Sequence, residues 1–440
     1  MLFRPPAACA ILPPMQPLRL SKIVAKSGLS RAPLAEPFLV SLYRALAPYR
    51  GCAHGCLYCD GRAEKYYVEG QFDRDIAVRA NLAQVVAADV AAGKAAAEFG
   101  AVCFGSGVTD AWQPVEAELG LTRSLLEALQ PAGLPVVILT KNALVRRDFD
   151  LLKKFPKALV IVTLTTTDPE TAALLEPEAS TPEERLQVVR EAREAGFSAG
   201  IMAMPLCPGL SDQSEQTAAL FDAAQAADAQ FVFPGGLTLR PGCQKQLFID
   251  MVQARRPALL RSYSEIYAEN RVSGMPLKSY AAPLQRGWEL DLARSGMPAR
   301  IPWTVYKELL CPADSLFVLL CHMQELYSAR GVNIRPLKAA TDRYAEWLRK
   351  TRASLRRDKK LLQQPNFPVS RRLTSLLQGK RSEDLPLLQS LEENDMAASL
   401  GAILQNERLA ALCAGLLNGS HDFDYCSLQV SLAIPAGTEP

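Results

Sequence analysis

The sequence contains no run of the roughly 20 consecutive apolar residues that a membrane-spanning helix requires, so no segment is expected to cross a bilayer. It also lacks a charge excess of either sign: the formal net charge of +3 is too small to name an acidic partner by itself. With 22% charged and 49% hydrophobic residues there is no ground for wholesale disorder, and 440 residues can bury one large core or two moderate ones. A leader segment is not expected. Met1–Met15 is apolar with Arg4 near its start, but Pro5, Pro6, Pro13 and Pro14 interrupt it, and no small-residue cleavage site follows a long apolar core. It reads as a loose tail. Nor is there an even cysteine framework of the disulfide-scaffold kind. The cysteines number eleven, and Cys9, Cys103, Cys207, Cys243, Cys311, Cys321, Cys413 and Cys426 are scattered, mostly among apolar neighbours. Isolated cysteines in such runs behave as small buried hydrophobes, and many free thiols favour a reducing compartment. A cytoplasmic location is expected.

What is present is a rhythm of short apolar runs and helical patterns. Strands are expected at Ala45–Tyr49, Ala101–Phe104, Pro135–Leu139, Ala158–Leu164, Ala199–Met204 and Gln230–Phe233. Each leads to a helix: Ile76–Lys94, Glu116–Leu129, Arg147–Phe155, Pro182–Ala195 closed by Gly196, Ser211–Ala227 with Ser211 as N-cap, and Gln244–Gln253. Six strand-plus-helix units in succession make a parallel sheet with helices outside, and near-continuously apolar strands fit a sheet covered on both faces. Right-handed crossovers let such a sheet curve, but six units are fewer than the eight of a closed triosephosphate isomerase-type barrel. The expected fold class is therefore α/β, a partial (β/α)6 TIM-type barrel with a mainly helical C-terminal region. In that scheme 1–44 is an N-terminal extension, 45–254 the barrel core and 255–440 the helical region. Helices are expected there at Leu259–Asn270, Trp303–Leu310, Ser315–Arg330, Leu337–Lys360, Leu387–Leu400 and Gly401–Leu417.

The remaining cysteines are concentrated in Tyr49-Arg-Gly-Cys52-Ala-His-Gly-Cys56-Leu-Tyr-Cys59, spaced Cys-x3-Cys-x2-Cys. Three thiolates this close, with Gly51 and Gly55 permitting tight curvature, can wrap three corners of a [4Fe-4S] cubane and leave the fourth iron without a protein ligand. A structural zinc site wants four ligands, and His54 could complete a tetrahedron, although its offset from Cys52 makes closure awkward. A ferredoxin run would be Cys-x2-Cys-x2-Cys with a fourth cysteine. Three inert thiols is the plainest alternative.

Cys52-x3-Cys56-x-Tyr58-Cys59 resembles the signature of the radical S-adenosylmethionine (radical SAM) superfamily. The wider string from Pro48 to Cys59 is similar to the spore photoproduct lyase-like branch, whose members are often labelled DNA repair photolyases. Further matches follow in order: Gly107-Val-Thr-Asp110 with Gln113-Pro114, Leu121–Glu127, Leu139-Thr-Lys-Asn142 with Val145–Asp148, Leu175-Glu-Pro177 with Pro182 and Arg185-Leu186, and Pro205–Asp212. The resemblance covers roughly Lys26 to Gly242 and implies a barrel of the radical SAM type. It also implies S-adenosyl-L-methionine as second cofactor, cleaved reductively to a 5′-deoxyadenosyl radical, with an electron donor such as flavodoxin or ferredoxin.

In barrels of parallel strands the chemistry sits at the C-terminal strand ends, and the polar residues expected there are Thr109-Asp110, Thr140-Lys141, Thr165–Asp168, Met204-Pro205 and Gly235-Gly236. By the resemblance, Thr109 and Asp110 lie near the methionine moiety of the cofactor. Lys141 and Thr165 suit its carboxylate or ribose hydroxyls, and Tyr58 with the backbone around Met202–Met204 suits the adenine. The plain readings are that Asp110 caps a turn and Lys141 is a solvated cation. One departure matters. Spore photoproduct lyases carry a cysteine close before the hydroxyl–Asp pair, which supplies the hydrogen atom that finishes repair. Here Gly107 and Val108 precede Thr109, Cys103 lies too far back on the same strand to substitute simply, and Cys207, beyond the fifth strand, is a candidate replacement. Nucleic acid as a partner rests on a basic run within Arg343–Arg381 that includes Arg349, Lys350, Arg352, Arg356, Arg357, Lys359, Lys360, Arg371, Arg372, Lys380 and Arg381. Such a run can bind phosphates or form a solvated helix face.

Overall fold

The computed structural model describes residues 17–66, 68–95, 100–105, 108–355, 415 and 421–432. In chain order the strands are β1 Arg19–Lys22, β2 Leu29–Glu36, β3 Ser41–Ala45, β4 Tyr49–Arg50, β5 Asp75–Val78, β6 Val102–Phe104, β7 Val136–Thr140, β8 Ala158–Thr163, β9 Ser198–Leu206, β10 Val232–Gly236, β11 His421–Phe423 and β12 Val430–Leu432. The main sheet has seven strands in the order β10-β9-β8-β7-β6-β3-β2. Its six strands from β3 to β10 are parallel neighbours, and β2 adds an antiparallel edge. The expected six-stranded parallel array is therefore present.

The sheet is curled. Seven strands laid flat put the outer two roughly 29 Å apart, at about 4.8 Å per spacing. Yet Phe38, in the turn after β2, meets Phe233 of β10 with ring centroids 4.9 Å apart. The Arg300 guanidinium lies over the same Phe233 ring at 4.3 Å and binds Glu289 and Glu325, each at 2.7 Å. The two edges thus face each other without pairing, as a partial barrel requires.

Alternation along the strands divides the core. Val102, Val136, Ile138, Val160, Val162 and Ile201 pack with residues of the crossover helices, among them Leu125, Val188, Val189 and Leu220. Val137, Leu159, Ile161 and Met202 point the other way and are covered by Trp303, Tyr306, Val318, Leu319 and Met323. Both faces are dry, which is why the strands read as continuous apolar runs. The C-terminal helices are therefore part of the barrel's filling. Asp314, in the helix Pro312–Ala329, accepts from the Ala35 amide of β2 at 3.2 Å and binds the Arg352 guanidinium.

Local expectations fared unevenly. Helix Pro182–Glu194 begins with a capping box: the Glu184 amide donates to Thr181 Oγ1 at 3.2 Å and the Thr181 amide to Glu184 Oε2 at 2.7 Å. The expected first strand at Ala45–Tyr49 is displaced. β3 ends at Ala45, and β4 joins a separate three-stranded sheet in the order β1-β5-β4. The expected helix Ile76–Lys94 begins only at Leu82, because Ile76 and Val78 alternate inward on β5. β2 and β3 fall within the stretch expected as an N-terminal extension. Ser211 is not the cap of Ser214–Ala226; its hydroxyl accepts from the Cys207 amide at 2.9 Å, and Gln213 precedes the helix. A helix at Lys278–Arg294 was not expected, since Pro283 lies inside it. The expected helix Leu337–Lys360 appears as Arg335–Leu355. The helices expected at Leu387–Leu400 and Gly401–Leu417 lie outside the described residues, apart from position 415. No described helix is long and apolar enough to cross a membrane.

Candidate functional site

The cysteine loop starts from a turn that only glycine accommodates. Gly51 has φ +86, and a β-carbon there would stand 2.8 Å from the Phe72 carbonyl oxygen and 2.9 Å from that of Asp75. The loop's backbone groups are then tied down from three directions. The Cys52 amide donates to Phe72 O at 3.0 Å, and Thr109 Oγ1 donates to Gly51 O at 2.7 Å. Gln113, fully buried, accepts from the Ala53 amide at 2.7 Å and donates to Gly51 O at 3.2 Å. Arg62 grips the far side, its Nε donating to Cys56 O and its Nη2 to Gly55 O, both at 2.9 Å.

This scaffold leaves three thiols facing one cavity. Cys52 and Cys56 are buried, Cys59 is half-buried, and none is in a disulfide. All three border a cavity of about 570 Å3, together with Tyr58, Thr109, Asp110, Lys141 and Met204. The cavity lies at the C-terminal ends of the strands, where Leu139 and Thr140 of β7, Thr163 of β8, Met202 and Met204 of β9 and Gly236 of β10 also reach it. Burial is the main cause that pushes all three thiols up, Cys56 to about 12. A coordinating cation would deprotonate them outright. Among the described residues no three His, Cys, Asp or Glu side chains close round a single metal ion. A cubane takes each thiolate at a separate iron, so three thiols round one cavity fit three of its corners, whereas a structural zinc site wants a fourth ligand.

His54 offers no fourth ligand. Asn142 Oδ1 accepts from the Leu144 amide at 3.0 Å, which leaves Asn142 Nδ2 facing His54 Nε2 at 3.2 Å. The Nε2 position therefore accepts, and the proton sits on Nδ1, 3.6 Å from Cys52 Sγ and 3.7 Å from Asp110 Oδ2. Burial lowers the His54 pKa, against the opposing pull of Asp110.

The other expected residues divide. Asp110 borders the cavity, but its carboxylate is a hub of loop structure, accepting from the Trp112 amide (2.8 Å), Thr140 Oγ1 (2.9 Å) and the Lys141 amide (2.8 Å). It does cap the following turn. Lys141 is not a solvated cation: its Nζ donates to Glu176 at 3.2 Å and lies 5.3 Å from the centre of the Tyr58 ring. Thr165 does not border the cavity; it is fully buried, and its Oγ1 donates to Glu176 at 2.6 Å. Asp168 accepts from the Thr171 amide at 2.9 Å as an N-cap. In the basic run Arg352 is buried against Asp314, so it is unavailable to phosphates, and the run beyond residue 355 lies outside the described residues.

Glu176 was missed as a site residue. Its fully buried carboxylate gathers Tyr58 Oη, Thr165 Oγ1, Lys141 Nζ and Arg185 Nη2, the last at 2.5 Å. Burial pushes its pKa up, but Arg185 and Lys141 outweigh that and hold it well below the usual carboxylate range. The ring of Tyr58, between Cys56 and Cys59, is fixed by this network. Gln113 and Arg185 were likewise visible only as letters in wider motifs, because their partners come from distant elements.

The family profile described as Radical SAM superfamily matches residues 46–221. Uncharacterized proteins of Mycobacterium bovis and of Mycobacterium tuberculosis are each 31% identical to this chain over 264 residues, covering 58% of it and 75% of their own length. One of Methanocaldococcus jannaschii is 30% identical over 165 residues, 37% of this chain and 60% of that protein. Similar solved structures include a spore photoproduct lyase complexed with dinucleoside spore photoproduct (18% identity, TM-score 0.39, 54% of this chain and 66% of that one). The [FeFe]-hydrogenase maturase HydG is similar at 15% identity and TM-score 0.35, with 77% and 82% covered. With its three-cysteine loop on a partial barrel and the profile lying across that loop, this chain belongs to the radical SAM superfamily.

Proposed function

We propose that the protein is a radical SAM enzyme that holds a [4Fe-4S] cluster on Cys52, Cys56 and Cys59 and binds S-adenosylmethionine beside it, taking its electron from a donor such as flavodoxin or ferredoxin. The observation that carries this reading is the convergence of those three thiols on one cavity at the C-terminal strand ends. When bound, the cluster supplies the electron that splits the cofactor into methionine and a 5′-deoxyadenosyl radical. The chain's own contribution is to position and to exclude water. Gln113, Thr109 and Arg62 fix the loop, Glu176 fixes Tyr58 and Lys141, and Met202 and Met204 give the cavity an apolar wall. Thr109, Asp110, Lys141, Tyr58 and Met204 border the cavity and would hold the cofactor there; Thr165 would act from behind, through Glu176.

The substrate is a separate question. Among the described residues, no cysteine other than the three loop thiols borders the cavity. Cys103 Sγ donates to Gly105 O at 3.7 Å and Cys207 Sγ to Pro205 O at 3.6 Å, and both are fully buried. This favours a radical modification that does not end on a cavity thiol over repair of a DNA lesion of the spore photoproduct kind. The test of class is 5′-deoxyadenosine formation by the anaerobically reconstituted chain with dithionite. Product from the wild type and none from Cys56→Ala supports the reading; none from either defeats it. Loss of photoproduct from irradiated DNA under the same conditions would restore the repair assignment.

A further inference from the structure

A second cavity of about 290 Å3 adjoins the first, and Arg44, Val108 and Thr109 border both. Among the described residues its lining includes Arg44, Arg50 and Arg79 and no Asp or Glu. The three arginines come from β3, β4 and the residue after β5, so the fold gathers them from separate elements. Arg79 is half-buried, and its Nη1 donates to the carbonyls of Ala47 at 2.8 Å and Tyr49 at 3.1 Å. Those bonds fix the guanidinium but do not neutralise it. Burial, with the neighbouring charge of Arg50, holds the Arg79 pKa below its ordinary value. Among the described residues neither Arg44 nor Arg79 has a carboxylate within ion-pair distance. Glu36 borders only the larger cavity, and its carboxylate is taken by the amides of Phe38 and Leu39, both at 2.9 Å.

Cations lining one cavity repel one another, and an anion placed between them relieves that cost. Guanidinium forks match the oxygens of a phosphate, and a phosphate can engage several of them at once. S-adenosylmethionine contains no phosphate, and its single carboxylate belongs, on the reading above, to the larger cavity beside the three cysteines. We propose that this pocket seats a phosphate group of the substrate, so that the portion to be modified reaches past Thr109 into the cluster cavity. The substrate is then a phosphate-bearing molecule. The inference rests on the radical SAM reading for the role of the larger cavity.

The test needs neither cluster nor reductant. The full chain is titrated calorimetrically with inorganic phosphate at constant ionic strength, and then with a single-stranded oligonucleotide that has only internal phosphodiesters. Arg44 is exposed, so Arg44→Gln and Arg44→Lys are the informative variants. Phosphate should bind one to one, at least about tenfold more weakly in Arg44→Gln and less weakened in Arg44→Lys. An oligonucleotide that competes with phosphate, and whose salt dependence falls by about one charge in Arg44→Gln, identifies a phosphodiester substrate. Phosphate bound without such competition identifies a phosphomonoester. Equal phosphate affinity in wild type and Arg44→Gln, or no binding at about 10 mM phosphate, overturns the proposal. Cofactor cleavage measured separately keeps the two readings apart: a chain that cleaves S-adenosylmethionine but ignores phosphate refutes the pocket alone.

Discussion

Replacing Glu176 by alanine would leave the Arg185 guanidinium charged, only 1% exposed and without its counter-ion. Lys141, 16% exposed, can turn toward water, whereas Arg185 cannot. Removing one partner of a buried ion pair costs about 3–5 kcal/mol, because the other charge stays desolvated. Part of the damage is cushioned. Tyr58 Oη and Thr165 Oγ1 lie 3.2 Å apart and can bond each other, and Arg185 retains the carbonyls of Ser180 and Thr163. A loss near the lower end, about 3 kcal/mol, is therefore expected in urea unfolding followed by circular dichroism, read from the midpoint at unchanged slope. Adding Arg185→Met removes the stranded charge, so the double variant should be more stable than Glu176→Ala by about 1–3 kcal/mol. The pH dependence has a definite sign. Glu176 is held below its unfolded value, so its contribution is complete above that value and is lost as pH falls through the folded one. The gap between wild type and Glu176→Ala should be constant from neutrality to about pH 5 and shrink below it. A loss under about 1 kcal/mol, or additive losses in the double variant, would refute the view of Glu176 as the anchor of this network.

Gly51→Ala forces a side chain into φ +86 against two carbonyl oxygens, and should cost about 1–3 kcal/mol and lower the iron retained after reconstitution; unchanged melting and iron would show that the turn is not needed. Asp75 is drawn down to about 2 by its bonds to Arg19 and the Gln71 amide. Its bond to Arg19 should therefore hold above the unfolded carboxylate value and weaken only as pH falls toward 2, and Arg19→Ala should move the carboxyl titration part of the way back up, the Gln71 amide still holding it down. Cys56→Ala should abolish the visible absorbance of the reconstituted protein, while Cys426→Ala, on the turn after β11, should leave it intact; equal loss would mean the ligand set is wrong.

The sheet was legible because six apolar runs, each followed by a helical pattern, leave few other arrangements, and the cysteine spacing is local enough to read directly. The first strand was misplaced because Ala45–Tyr49 is one apolar stretch in sequence but spans two sheets, with Pro48 between them. The helix containing Pro283 was passed over because proline breaks helices far more often than it sits in them. At the site, what each polar residue touches was hidden. Thr165 follows a barrel strand as the pattern required, yet it turns onto Glu176. The bond from Lys141 to Glu176, and that from Arg352 to Asp314, join residues 35 and 38 positions apart. The arginine-lined pocket had no local signature either, since Arg44, Arg50 and Arg79 are ordinary single letters until β3, β4 and β5 bring them together.

The central claim is that Cys52, Cys56 and Cys59 hold one four-iron cluster, and metal and sulfide analysis of the anaerobically reconstituted chain tests it most directly. About four irons and four sulfides per chain are expected, falling sharply in Cys52→Ala, Cys56→Ala and Cys59→Ala alike. A chain that takes up one zinc instead, or that keeps its iron when any of the three cysteines is removed, contradicts the account.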